Sequence, residues 1–190
     1  MKKNILLIVA LISFNVLKAQ TEIKFNPIYT IFLGPEVAAE FGITKRISIE
    51  PAIFLILYPL KTEPNGFSNS TYSRVSKGFQ GNLNAKYFIK PSKGLDRYYF
   101  GIYTRGGHEE FDVINPTDTY QLDHLSLGFS FGYKWVFNNN FILALDSGFG
   151  RKLVRNYSNL TYGKTDPNYI TVDLDGFFRF SVGYRFGKNN

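Results

Sequence analysis

From Val172 to Phe186 the chain sorts its side chains by parity. Val172, Leu174, Phe178, Phe180, Val182, Tyr184 and Phe186 fall on one face. Asp173, Asp175, Arg179, Ser181, Gly183 and Arg185 fall on the other, with Phe177 the one bulky residue among them. A period of two marks an extended strand, because successive side chains leave opposite sides of the pleat.

The alternation recurs often enough to predict eight strands. The first spans Ile23 to Phe32, and a break at Gly34-Pro35 leads to the second, Glu36 to Gly42. The third runs from Ile47 to Tyr58, the fourth from Lys77 to Ile89, the fifth from Arg97 to Gly107 and the sixth from His124 to Phe137. The seventh, Phe141 to Leu153, follows the tight turn at Asn138-Asn139-Asn140, and the segment ending at Phe186 is the eighth. Long polar loops are expected at 59–76, 108–123 and 154–169, and short turns after strands two, four and six. Even strand number with short turns at one end and long loops at the other is the plan of an outer-membrane barrel. The predicted fold is all-β, an eight-stranded antiparallel up-and-down transmembrane β-barrel.

Strand six sets Leu125, Leu127, Phe129, Phe131, Tyr133, Trp135 and Phe137 against Ser126, Gly128, Ser130, Gly132 and Lys134. Alternation does not say which face is inside, since a soluble lipocalin-like barrel turns its apolar face inward. Glycine does. The polar face carries Gly101, Gly128, Gly132, Gly148, Gly150 and Gly183, and glycine weakens a water-facing strand but suits the cramped interior of an eight-stranded barrel. The apolar face is therefore expected to meet lipid, with Tyr133, Trp135, Phe137, Tyr184 and Phe186 forming an interfacial girdle at the short-turn end. The inner face is expected to hold a network of Glu40, Glu50, Lys86, Arg105, Lys134, Asp146, Arg179 and Arg185, each charge needing a partner once removed from water.

Composition supports export. Lys2 and Lys3, an apolar run over Ile5 to Phe14 and small Ala19 read as a signal peptide over residues 1–19, with the barrel domain at 20–190. The chain has no Cys, so stability must come from closed strand pairing. Removing Lys2, Lys3 and Lys18 lowers the net charge from +7 to +4, which does not call for nucleic acid. Aromatic residues are 17% of the chain, yet no apolar run approaches the length of a membrane helix, so lipid-facing strands must bury them.

Glu40-Phe41-Gly42, Lys86-Tyr87-Phe88, Gly132-Tyr133-Lys134-Trp135-Val136-Phe137 and the closing Gly183-Tyr184-Arg185-Phe186-Gly187 give the chain a further likeness. It resembles small outer-membrane barrels of the OmpA/OmpX-like superfamily, and within them a family of uncharacterised Gram-negative barrels of unknown function. The resemblance implies an outer-membrane location in a Gram-negative bacterium and contact with lipid and lipopolysaccharide. It also implies insertion by the barrel-assembly machinery, whose signal usually ends on an aromatic residue; here Phe186 is followed by four more residues.

No cofactor is expected, and the expected role is non-enzymatic: envelope integrity, surface interaction through the three long loops, or membership of a larger assembly. Two chemical alternatives carry residues. His124-x-Ser126 has the spacing of the site of an eight-stranded lipid A deacylase family, and strand parity puts base and nucleophile on one face. The reading is a lipid A or phospholipid hydrolase. Against it, Leu127 stands where that family has Asn, the pair faces the lumen rather than lipid, and no orienting acid is evident. His108, Glu109 and His124, with Glu110 and Asp112 nearby, have donor types that suit zinc, but the two His are expected on opposite faces. A third alternative, a soluble periplasmic lipocalin-like binder of an apolar ligand, follows if the apolar face points inward.

Overall fold

The computed structural model describes residues 20–64, 71–114, 117–159, 164–165 and 173–186; the expected signal peptide, 1–19, lies outside them. The described elements are β1 (Thr21–Phe25), α1 (Pro27–Phe32), β2 (Glu36–Gly42), β3 (Ile47–Pro64), β4 (Thr71–Phe88), β5 (Arg97–Ile114), β6 (Thr117–Val136), β7 (Phe141–Asn159), β8 (Lys164–Thr165) and β9 (Leu174–Phe186). β1 to β7 pair antiparallel in chain order, apart from β8, a two-residue strand laid on the end of β7. The last strand then joins both ends. β9 pairs with β7 from Phe141↔Tyr184 to Arg151↔Leu174, and with β1 from Thr21↔Phe186 to Phe25↔Val182. The result is a closed eight-stranded antiparallel barrel, in which each strand of the wall is hydrogen-bonded to a neighbour on both sides.

Two expectations are corrected. Residues 27–32, expected as the second half of the first strand, form the helix α1. Asn26 caps it, its side chain accepting from the Tyr29 amide at 3.0 Å, and Pro27 occupies the first turn. An Asn-Pro start is a strong helix signal because the cap satisfies an orphan amide and proline supplies the needed φ; here it outweighs the strand propensity of Ile, Tyr and Phe. Gly34, at φ +134, stops the helix, and a Cβ there would run into the Leu55 carbonyl. Secondly, the three long loops are shorter than expected. β3 runs to Pro64, β5 and β6 pair out to Ile114↔Thr117, and β7 reaches Asn159. Beyond the apolar band the alternation of the sequence fades while the backbone ladder continues.

The inside-out polarity is unambiguous. Ile53, Leu83, Ile102, Phe129, Phe131, Phe149 and Phe178 stand on the outer surface, Phe129 at 72% exposure, whereas Glu40, Glu50, Lys86, Lys134 and Arg185 are fully enclosed. A soluble barrel with an apolar cavity would have the reverse distribution, so the lipocalin-like alternative is set aside. On β6 the outward apolar belt runs from Leu125 to Trp135. Ten steps at about 3.4 Å each, tilted about 40°, rise roughly 26 Å, close to the thickness a lipid-facing barrel must match. A bulge on β7 opposite Leu125 and Ser126 leaves Leu153 without a partner in the ladder and turns both Leu153 and Val154 outward.

β1 and β2 have only five and seven residues, too few to cross this band. The wall between the upper halves of β3 and β9 is completed by α1 and the segment after it. Leu55 donates to the Pro35 carbonyl at 3.0 Å and Leu57 to that of Leu33 at 2.9 Å. Ile28, Ile31 and Phe32 of α1 face outward, and the Tyr29 ring lies inward, 5.4 Å from that of Phe54.

Candidate functional site

The inner wall is built by residues of one parity on each strand: Glu22 and Lys24 on β1, Glu36 and Glu40 on β2, Ser48 and Glu50 on β3, Asn84 and Lys86 on β4. The other strands add Tyr99, Tyr103 and Arg105 from β5, Ser126, Ser130 and Lys134 from β6, Asp146 from β7, and Asp175, Arg179 and Arg185 from β9. Among the described residues the buried lumen therefore holds six carboxylates (Glu22, Glu36, Glu40, Glu50, Asp146, Asp175) and six cations (Lys24, Lys86, Lys134, Arg105, Arg179, Arg185), so its formal charge is zero.

Glu50 is the hub, bonded to Lys24 and Arg179 and, at 2.8 Å, to Lys86. Lys24 also bonds Glu40, which lies 3.0 Å from Lys134 and accepts from the Ser48 hydroxyl. Lys134 reaches Glu22 at 2.7 Å, and Glu22 in turn accepts two bonds from Arg185, at 2.7 and 2.9 Å. Arg179 extends to Asp146 at 3.0 Å and Glu36 at 3.2 Å. Towards the long-loop end a smaller group stands apart, where Asp175 accepts from Arg105 and, at 2.8 Å, from the Tyr103 hydroxyl. Interleaved charges inside a low-dielectric wall attract strongly enough to offset their lost hydration only when every one is matched, and here they are.

Bulk is matched as closely as charge. A Cβ on Gly132 would meet the Tyr99 ring at 2.6 Å, on Gly128 the Tyr103 ring at 2.7 Å, and on Gly183 the Lys24 stem at 2.7 Å; the Gly148 position lies against the Phe177 ring. Lumenal glycines thus sit opposite the largest lumenal side chains, which is how an eight-stranded barrel is filled without voids. Lys86 lies 4.6 Å over the Tyr99 ring and Lys134 the same distance over Phe88. The short-turn mouth is closed by the β4–β5 connection, which folds Leu95 against Phe88 and Tyr99 while Arg185 donates to the Leu95 carbonyl at 3.0 Å. A small cavity bounded by Tyr29, Phe54, Arg105 and Arg179 has room for about one water. Among the described residues the arrangement is a packed plug with no continuous aqueous path.

All eight residues expected in the network are turned inward and charge-paired: Glu40, Glu50, Lys86, Arg105, Lys134, Asp146, Arg179 and Arg185. Glu22, Lys24, Glu36 and Asp175 complete it and were not anticipated as members; the alternation Glu22-Ile23-Lys24-Phe25 is the signal that places the first two. Tyr133, Trp135, Phe137, Tyr184 and Phe186 lie at the short-turn ends of their strands, with Trp135, Phe137, Tyr184 and Phe186 exposed on the outer face. Tyr133 packs between Tyr98 and Trp135, at 4.5 Å from each ring.

The candidate chemical groups do not assemble. His124 and Ser126 share the inner face, but no hydrogen bond joins them: His124 Nε2 meets the Gln80 amide at 3.2 Å, and neither His124 Nδ1 nor the fully buried Ser126 Oγ has a partner in the structure. A serine nucleophile needs its base within hydrogen-bonding reach and an acid to orient that base. His108 stands on the outer face, away from His124. Its Nδ1 is 2.7 Å from Asp123 and its Nε2 is 3.5 Å from Glu110. No group of three metal-ligand side chains occurs among the described residues.

Asp123 lies beyond the apolar band, and its hydrogen bond is the main cause that raises the His108 pKa above 6.5. A raised histidine pKa contributes stability that is present below the unfolded value and is lost as pH climbs through the folded one. The pair is largely exposed, so the effect on melting should be slight. An NMR titration should place the His108 midpoint above 6.5, and Asp123→Asn should bring it down; a midpoint at the ordinary value in the parent protein would show that the pair is not formed.

Comparison with known proteins agrees with this architecture. The model of the DUF3575 family, described as a protein of unknown function, matches residues 4–171, and the chain belongs to that family. The match ends before β9. No curated protein matches. Among solved structures, the crystal structure of a major outer membrane protein from Thermus thermophilus is similar, with a TM-score of 0.51 and 15% sequence identity over 88% of this chain and 98% of that one. At that identity the likeness concerns the fold.

Proposed function

We propose that this member of the family is an integral outer-membrane protein of the small OmpA/OmpX-like kind, exported by a cleaved signal peptide in a Gram-negative bacterium. Its role is non-enzymatic: the barrel is a closed membrane anchor that presents the extended β3–β4, β5–β6 and β7–β9 hairpins at the cell surface. The observation that carries the reading is the inverted polarity, with Phe129, Phe131, Phe149 and Phe178 outside and a neutral set of paired charges inside. Only a lipid environment makes that distribution favourable. The filled lumen supports an anchor over a pore, and the lack of a bond between His124 and Ser126 supports an anchor over a hydrolase.

The test is heat-modifiability. Protein recovered from an outer-membrane fraction should run faster in SDS gels unboiled than boiled, because the closed barrel resists SDS at room temperature. Recovery in the soluble periplasmic fraction, with no such shift, would defeat the proposal.

A further inference from the structure

From Gln20 onward the chain carries 19 Lys and Arg against 15 Asp and Glu, a surplus of four. That surplus has an address. The lumen cancels six against six. At the short-turn end stand Lys45, Arg46, Lys90, Lys93 and Arg97, all exposed, against a single carboxylate, Asp96. Five less one is four, the whole net charge, and the eight acids and eight bases left over cancel elsewhere in the sequence. Asp96 serves none of the five as an ion-pair partner: it is buried and accepts from the amide and hydroxyl of Ser92. None of the five cations forms an ion pair among the described residues; their bonds go to neutral groups, Arg46 to the Tyr87 hydroxyl at 3.2 Å, Lys93 to Asn138 at 2.8 Å and Arg97 to the Lys90 carbonyl at 3.3 Å.

We infer that this rim binds the phosphodiester head groups of anionic phospholipids in the leaflet that surrounds the short-turn end. The inference rests on the outer-membrane reading above. Several features favour lipid over an acidic protein. The cations border the outward aromatic belt, as Arg46 shows by bonding Tyr87 on the lipid-facing side. The β2–β3 turn at 43–46 is tight, and the β4–β5 connection folds flat over the mouth, with Leu95 against Phe88 and Tyr99, so the cations do not frame a concave docking surface. Trp135 and the edge-to-face pair Tyr98 and Tyr133 mark the same level as the head-group interface. Basic side chains at such a level attract anionic lipid, each contributing to the preference and each weakened by salt.

The single tryptophan provides the probe, because Trp135 sits at the rim. The full barrel is reconstituted in vesicles of phosphatidylcholine or of phosphatidylcholine with a minor share of phosphatidylglycerol, one lipid at a time being brominated. Trp135 quenching should show phosphatidylglycerol binding about tenfold more strongly than phosphatidylcholine, falling towards parity in high salt and in the triple variant Arg46→Gln, Lys90→Gln, Arg97→Gln. Equal quenching by the two lipids in the parent protein overturns the inference, as does a preference that the triple variant retains. Heat-modifiability of the same samples separates the two failures: a barrel that inserts without lipid preference defeats only this inference, and one that does not insert defeats the outer-membrane reading.

Discussion

Replacing Glu50 by Ala should cost about 3–5 kcal/mol, the usual consequence of stripping one member from a buried charge set. Lys24, Lys86 and Arg179 all bond Glu50, and its loss leaves six buried cations facing five carboxylates. The alanine also opens a hole in a lumen that is otherwise filled. In the SDS assay the variant should lose its compact form at a markedly lower temperature than the parent. Removing Asp173, which is half-exposed at the long-loop end and lies 3.5 Å from Arg151 and 3.3 Å from Arg155, should leave that temperature nearly unchanged. Equal sensitivity of the two variants would mean that the lumenal network contributes no more than a surface pair.

The second large effect concerns the outer face. Phe129 lies four residues from Leu125 and six from Trp135 on β6, which places it near the middle of the apolar belt. Arginine at that depth on a lipid-facing strand should cost about 2–4 kcal/mol, against about 0–1 kcal/mol for Trp135→Arg at the interface. Folding titrations into lipid vesicles would measure both. If Phe129→Arg were neutral, or made the protein more soluble without destabilising it, the belt would not be facing lipid. The lumenal neighbour Ser130, bonded to Asn84 at 2.9 Å, offers the converse comparison: one step along the same strand reverses the environment completely.

Barrel class, strand number and the sense of the two faces were legible in the sequence because each depends on a period of two, and that period is local. Glycine on the polar face carried the decisive information, and the structure supplies its cause: Gly132, Gly128 and Gly183 yield space to Tyr99, Tyr103 and Lys24 on neighbouring strands. Parity likewise turned eight network residues inward. It did not reveal Glu50 as the hub. Strand alternation puts a carboxylate inside the barrel without saying which of the several lumenal bases comes within bonding distance, since that depends on registers set by every neighbouring pair.

What the sequence determined by itself, then, is the alternation, the faces and the turns. Those are properties of a residue and its near neighbours. The tertiary structure alone decided the rest. Residues 27–32 carry both a strand-like apolar content and the local Asn26-Pro27 helix start, and a wall whose β1 and β2 stop short, leaving a gap between β3 and β9, gives the capped helical turn a place to fit. Glu22 and Arg185, 163 residues apart, meet because the last strand closes on the first. The five cations of the rim come from the β2–β3 turn, the β4–β5 connection and the first residue of β5, and become one surface only when the turns are gathered at one end. Closure is the common physical reason. Residues far apart in the chain acquire a shared environment when the sheet meets itself, and no local pattern encodes that event.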